Sequence, residues 1–251
     1  LSKDPAAALV VDTSLGETEM GTAASSNTNP TGTAASSDDR NRGGVARLFT
    51  ASWDRTVRMW DTSLASGFEA APGDGGLGSR NPLLHTLVAQ DDSATGFYSI
   101  ALSCRGDVVM AGNSHSAVAR WDIETGASLS DLKRVSSSGK KLDHVYALQV
   151  TTDGAVYAAC GSAVLIFDGR GSTKQRCALQ GGGGTVMCMQ KDDDFRLITG
   201  CYEGTVRMWD VRYPSKWLCQ FRESEPVMSL SVSDKRLLAG CSQGTIWCRY
   251  F

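Results

Sequence analysis

Leu197–Asp210 reads LITGCYEGTVRMWD, and this stretch decides the architecture. Arg196–Gly200 and Thr205–Trp209 are two apolar runs rich in β-branched residues. Cys201-Tyr202-Glu203-Gly204 between them is a hairpin connection in which Gly204 supplies the turn. Alternation along Thr205–Trp209 sends Val206 and Met208 to one face of the sheet and Arg207 and Trp209 to the other. Neither face is wholly polar, so the expectation is a sheet covered on both sides.

The phrase returns. It reads LFTASWDRTVRMWD at Leu48–Asp61, VVMAGNSHSAVARWD at Val108–Asp122, VYAACGSAVLIFD at Val156–Asp168 and LLAGCSQGTIWCRYF at Leu237–Phe251. Aligned on Val57, Val118, Val164, Val206 and Ile246, the copies lie 61, 46, 42 and 40 residues apart. A recurrence near 40 residues that ends on Trp-Asp marks one four-stranded unit of a radial repeat. A further strand precedes each hairpin, at Ala6–Asp12, Phe97–Ser103, Val145–Thr151, Val186–Gln190 and Val227–Ser233. Outer strands are expected at Leu83–Val88, Ala127–Leu132, Gln175–Leu179 and Trp217–Phe221.

With Trp60-Asp61, Trp121-Asp122, Phe167-Asp168 and Trp209-Asp210 closing four of its units, the chain resembles the WD-repeat (WD40-type) β-propeller family. The resemblance covers nearly the whole chain outside its insertions. It implies an all-β fold, a propeller of four-stranded antiparallel blades. About five blades are expected here, near residues 4–90, 91–134, 142–180, 184–222 and 225–251. They would form part of a seven-bladed ring, with a self-closed five-bladed ring as the alternative. Trp60, Trp121, Phe167 and Trp209 then pack between blades, and Asp61, Asp122, Asp168 and Asp210 complete the repeat signature. The chain departs from the family pattern in three ways. No unit carries Gly-His before its inner strand. The turn Asp survives only as Asp54, with His115, Glu203 and Gln243 in its place elsewhere. Arg249-Tyr250 replaces Trp-Asp in the fifth unit. The His–Asp–Ser/Thr–Trp network that buttresses many family blades is therefore complete in none, and the fold is expected to rest on packing.

Composition narrows the function. The 251 residues carry 25 basic and 27 acidic side chains, so no broad basic surface for nucleic acid is expected. No apolar run approaches the ~20 residues of a membrane helix. Eight cysteines occur without a Cys-x-x-Cys pair, and His85, His115 and His144 are scattered, so no metal and no cofactor is expected. Reduced cysteines used as small apolar residues point to an intracellular, cytoplasmic or nuclear setting. Leu1 is not an initiator Met, which fits a processed or excised piece. Residues 14–44 and 67–81 are rich in small and polar residues and read as flexible insertions, and Ser136–Lys141 as a smaller polar loop.

Catalytic signatures are missing: there is no Gly-x-Ser-x-Gly elbow, no Gly-Lys-Ser/Thr phosphate loop and no His-Glu-x-x-His. Gly181–Gly184 lacks the Lys that phosphate binding needs, and Asp192-Asp193-Asp194 reads as a solvated turn. A non-catalytic protein–protein interaction scaffold is the expectation, with proteins or peptides as partners and no small-molecule substrate. The resemblance implies docking on the disc face that carries the second-to-third-strand turns and the approaches to the inner strands. That face receives Trp53, Asp54, Arg55, His115, Tyr202 and Glu203 from the turns, and Phe97, His144 and Pro226 from the approaches. Aromatic and arginine side chains together are the composition of interface hot spots. The competing reading is that Trp53 and Tyr202 only cover blade edges. Trp209-Asp210-Val211-Arg212 also resembles the motif by which some WD-repeat proteins dock on the adaptor of cullin-4 ubiquitin ligases. That implies Asp210 and Arg212 as contacts and a ligase substrate receptor as the alternative function.

Overall fold

A computed structural model describes residues 9–12, 47–61, 82–90, 96–134, 143–169, 173–181, 184–192, 195–233 and 236–250. The expected insertions 14–44 and 67–81, the loop at Ser136–Lys141, and Asp193 and Asp194 lie outside the described residues. Among the described residues there are nineteen strands and no helix.

Blade one is β1 (Leu9–Asp12), β2 (Arg47–Ala51), β3 (Thr56–Asp61) and β4 (Leu83–Val88). Blade two is β5 (Phe97–Leu102), β6 (Val108–Asn113), β7 (Ala117–Asp122) and β8 (Ser128–Lys133). Blade three is β9 (Val145–Val150), β10 (Ala155–Cys160), β11 (Ala163–Asp168) and β12 (Gln175–Gln180). Blade four is β13 (Val186–Lys191), β14 (Arg196–Cys201), β15 (Thr205–Asp210) and β16 (Trp217–Arg222). Blade five is β17 (Val227–Ser233), β18 (Arg236–Cys241) and β19 (Ile246–Tyr250). Each sheet is an antiparallel meander in chain order. The first strand of each blade lies beside the first strand of the next, so the blades fan around a common channel. This is a β-propeller arrangement of four-stranded blades, with a three-stranded fifth blade among the described residues.

The seams explain the residue choice. Phe49, Val57 and Met59 of blade one meet Phe97, Val109 and Trp121 of blade two. Met110, Val118 and Leu132 then meet Val145, Val156 and Phe167. Tyr157, Val164 and Ile166 meet Val186, Leu197 and Trp209. Ile198, Val206 and Met208 meet Val227, Leu237 and Ala239. Thus Val206 and Met208 face blade five and Trp209 faces blade three, as the alternation requires. The middle strands of blades two to four are covered on both faces and β10 is buried throughout, whereas the outer strand β8 alternates exposed and covered residues. Arg120 and Arg207 are buried in third strands, and each is satisfied locally: Arg120 Nε donates to Ser130 O at 2.8 Å and Arg207 Nε to Gln220 Oε1 at 3.0 Å.

Part of the buttressing network survives. Trp209 Nε1 donates to Thr199 Oγ1 at 2.9 Å, and Trp60 Nε1 donates to Thr50 Oγ1 at 3.1 Å. In the other blades the threonine's place is taken by Ala111, Ala158 and Ala239. Trp60 differs from the expectation that it packs between blades. It is only half-buried, because its homologues face the preceding blade and no described blade stands on that side of blade one.

Candidate functional site

Sheet irregularity builds the site. In β5, β9, β13 and β17 the pairing register slips near the start of the strand. Tyr98, Tyr146, Met187 and Met228 each fall at the slip. A bulge inserts one residue, bends the strand and re-aims a side chain. The first residues, Phe97, Val145, Val186 and Val227, point into the seams and are buried. The second residues are less covered, and in blades two and three they gather an aromatic cluster at one end of the channel.

Trp53 from the β2–β3 turn lies with its ring centroid 5.5 Å from Tyr98. Tyr98 stacks on His144 at 4.5 Å with 21° between planes, and meets Tyr146 edge-on at 5.6 Å. Tyr146 Oη sits 3.1 Å from His144 Nδ1. Burial, then the neighbouring Tyr98 and Asp143, push the Tyr146 phenol upward, so it stays protonated and polar without charge. Four rings from three blades therefore form one ladder, which ends at Trp53, 39% exposed.

The expected site residues separate into three groups. Trp53, His144 and Tyr202 are available at the surface or in the ladder, and Tyr202 is 55% exposed. Asp54 is a turn-builder: its carboxylate accepts from Thr56 N at 3.0 Å, Thr56 Oγ1 at 2.6 Å and Arg58 Nη2 at 3.0 Å. Burial works against ionisation of Asp54, but those hydrogen bonds together outweigh it and hold its carboxyl below the usual value. Arg55 takes the left-handed position of the same turn, with φ 69°, where blade four has Gly204 with φ 77°. His115 is half-buried, with its backbone N–H donating to Asn113 Oδ1 at 2.9 Å, and Glu203 is exposed. Phe97 is a correction. It is 1% exposed and packs edge-on against Trp121 at 5.6 Å, so it belongs to the seam and not to the face. Tyr98 and Tyr146 hold the positions that strict alternation would have given to their neighbours. Large side chains at the second place of four aligned inner strands were the available signal.

The opposite rim has a different character. Arg212 Nε and Nη2 donate to Asp210 Oδ1 at 2.9 Å and Oδ2 at 2.6 Å. Its guanidinium lies 4.1 Å from the Phe195 ring centroid and 5.8 Å from that of Tyr213. Asp122, at the matching place in blade two, accepts from Thr125 N at 2.8 Å and Thr125 Oγ1 at 2.7 Å. These Trp-Asp carboxylates brace the turns that follow them. A cavity of about 540 Å³ opens nearby, lined by Gln149, Thr151, Asp153, Lys191, Asp192 and Phe195. It lies away from the ring ladder, and we locate the candidate face by its side-chain chemistry, because a stacked ladder presents ring faces without needing a cavity.

All eight cysteines are free. Burial, reinforced by the nearby Cys201, pushes the Cys188 thiol up to about 12, so it remains an unreactive thiol. Among the described residues no group of three or more His, Cys, Asp or Glu is gathered to hold a metal. No helix among them is long and apolar enough to cross a membrane.

Antiparallel blades around a channel define a β-propeller. The family described as "WD domain, G-beta repeat" matches residues 25–61 and 173–210, so the chain carries WD repeats at those places. The chain is similar to the ribosome biogenesis protein YTM1 of Laccaria bicolor, 27% identical over 227 residues, covering 77% of this chain and 46% of that protein. It is 27% identical over 185 residues to the ribosome biogenesis protein YTM1 of Ajellomyces capsulatus, covering 66% and 36%. It is 26% identical over 187 residues to mitochondrial division protein 1 of Pyricularia oryzae, covering 66% and 24%. The chain thus spans less than half the length of these relatives. Among solved structures, the computationally designed Ika8 protein superposes with a TM-score of 0.61 at 21% identity, over 82% of this chain and 55% of that one. The designed Ika4 protein superposes with a TM-score of 0.54 at 21% identity, over 65% and 96%. WD repeats support a protein-interaction scaffold, and such propellers are generally non-enzymatic.

Proposed function

We propose that this chain is a non-catalytic platform that captures other proteins or peptides on the disc face carrying Trp53, Tyr98, His144, Tyr146 and Tyr202. The ring ladder carries the proposal. It joins three blades, is reached from solvent through Trp53, and has two of its four rings at inner-strand bulges. Of the processes named for the relatives, ribosome biogenesis is the one we favour, because the YTM1 match in Laccaria bicolor spans 227 residues of alignment. The ligase-adaptor reading of Asp210 and Arg212 gains no support from the relatives.

The test is partner capture from native extract, with partners identified by mass spectrometry. Trp53→Ala combined with Tyr202→Ala should weaken capture by about tenfold or more while circular dichroism stays unchanged. Asp153→Ala and Phe195→Ala, on the opposite rim, should leave it intact. The reverse pattern would move the interface to the other face. Co-sedimentation of the tagged chain with ribosome precursors would support the process, and its absence from them would remove it.

A further inference from the structure

The channel mouth is chemically uneven. Blades one to three contribute the faces of Trp53, Tyr98, His144 and Tyr146. Around the same end, carboxylates stand on the hairpin turns and on the approaches to the inner strands: Asp54 and Glu203 on turns, Asp143 and Glu225 on approaches. Two of these are already matched, Asp54 by Arg58 at 3.0 Å and Asp143 by Arg134 at 3.7 Å. Glu203 and Glu225 form no ion pair among the described residues. Glu225 Oε1 accepts from Thr245 Oγ1 at 3.1 Å, while Glu225 Oε2 is buried without a hydrogen-bond partner. Glu203 is exposed and Glu225 half-buried, so this end keeps negative charge that a partner's cation can meet. Of the cations near this end, Arg134 is held by Asp143 and Arg249 by Glu223 at 2.8 Å, while Arg222 ends an outer strand and Arg55 shares the hairpin turn of Trp53 and Asp54.

Ring faces carry negative potential, and a guanidinium both stacks on them and donates a planar fork to carboxylates. Resting on the platform reading above, we infer that the partner segment taken by this face is basic: an extended peptide that lays an arginine on the Trp53–Tyr98 end of the ladder on blades one and two, and brings a cation further along its length toward Glu203 and Glu225 on blades four and five. Lysine fits less well, because its compact ammonium lacks the plane that matches a stacked ring.

The experiment uses the whole chain and fluorescein-labelled peptides of alternating alanine and arginine, read by fluorescence polarisation at physiological salt. Matched peptides carry lysine, citrulline or glutamate in place of arginine. The arginine peptide should bind, the lysine peptide more weakly, and the citrulline and glutamate peptides weaker than arginine by about tenfold or more. Trp53→Ala should reduce arginine-peptide affinity about fivefold or more. Glu203→Gln with Glu225→Gln should weaken binding and flatten its salt dependence. Phe195→Ala should change nothing. Equal binding of arginine and glutamate peptides, arginine binding indifferent to Trp53, or no arginine binding by the folded chain would each overturn the basic-peptide inference. If protein capture still depends on Trp53 and Tyr202 when the arginine peptide is ignored, the platform stands and only the partner class falls. If neither assay responds to this face, both fall.

Discussion

Blades four and five carry closely similar second and third strands and use them differently. Leu197 pairs with Trp209 in one and Leu237 with Arg249 in the other, and both leucines are fully buried. Trp209 is 2% exposed in the seam with blade three, and its N–H is held by Thr199. Arg249 replaces that plug with a polar closure. Its guanidinium lies 5.0 Å from the Phe221 ring centroid on blade four, and Nη2 is 2.8 Å from Glu223 Oε1. The Trp-Asp signature is therefore one way to close a seam, and a stacked, ion-paired arginine is another. The opposite faces differ more. Val206 is fully buried, whereas Ile246, at the same place in blade five, is 74% exposed. The residue types are alike, so the neighbouring sheet decides the burial.

The largest test of this contrast is Trp209→Ala, expected to cost about 3–5 kcal/mol by chemical denaturation, as for other large aromatic truncations. Arg249→Ala should cost less than about 1 kcal/mol, because the ion pair is partly exposed and screened. Equal losses would break the comparison and the repeat alignment with it.

Turn glycines sharpen it next. A Cβ on Gly204 would press on Glu223 O and come within 2.8 Å of Glu225 O, whereas one on Gly244 meets nothing within 4 Å. Both hold left-handed backbone, φ 77° and φ 87°. Gly204→Ala should cost about 3 kcal/mol from the conformational penalty and crowding together, and Gly244→Ala about 1 kcal/mol from the first alone. Melting curves of the two variants give the difference.

Thr199→Ala removes the acceptor for Trp209 Nε1 and should cost about 2 kcal/mol, because a buried donor is left unmatched. Thr50→Ala should cost less, since Trp60 is half-buried. Stability indifferent to Thr199 would mean that the tryptophan acts by volume alone.

The smallest effect is acid titration of Asp210, for which blade five has Tyr250. The Arg212 side-chain hydrogen bond, then its backbone N–H and its charge, hold the Asp210 carboxyl below the usual value against desolvation. A depressed folded pKa means the contribution is complete above the ordinary value of about 3.9 and is lost as pH falls through the lower folded one. Arg212→Ala should return Asp210 toward the ordinary value in an NMR carboxyl titration. An unchanged value would show that the bonds to Arg212 do not set it.

Much of the fold was legible because its determinants are local. The two-residue period assigns Val206 and Met208 to one seam and Trp209 to the other, and the hairpins follow from short turns between apolar runs. The site was legible only in outline. Trp53, His144 and Tyr202 could be placed on one face from the order of strands and turns. Phe97 could not be told from Tyr98, because a bulge reverses which of two neighbours faces the seam.

The sequence alone thus determined the repeat, the strand order, the alternation of the third strands and the turn glycines, since each depends on a few neighbouring residues. Tertiary structure decided the rest. Bulges set by pairing with the second strand joined Tyr98, His144 and Tyr146 into a ladder with Trp53. Whether a facing blade stands among the described residues separated buried Trp209 from half-buried Trp60, and buried Val206 from exposed Ile246. Register slips and face-to-face burial arise between strands far apart in the chain, and local pattern does not encode them.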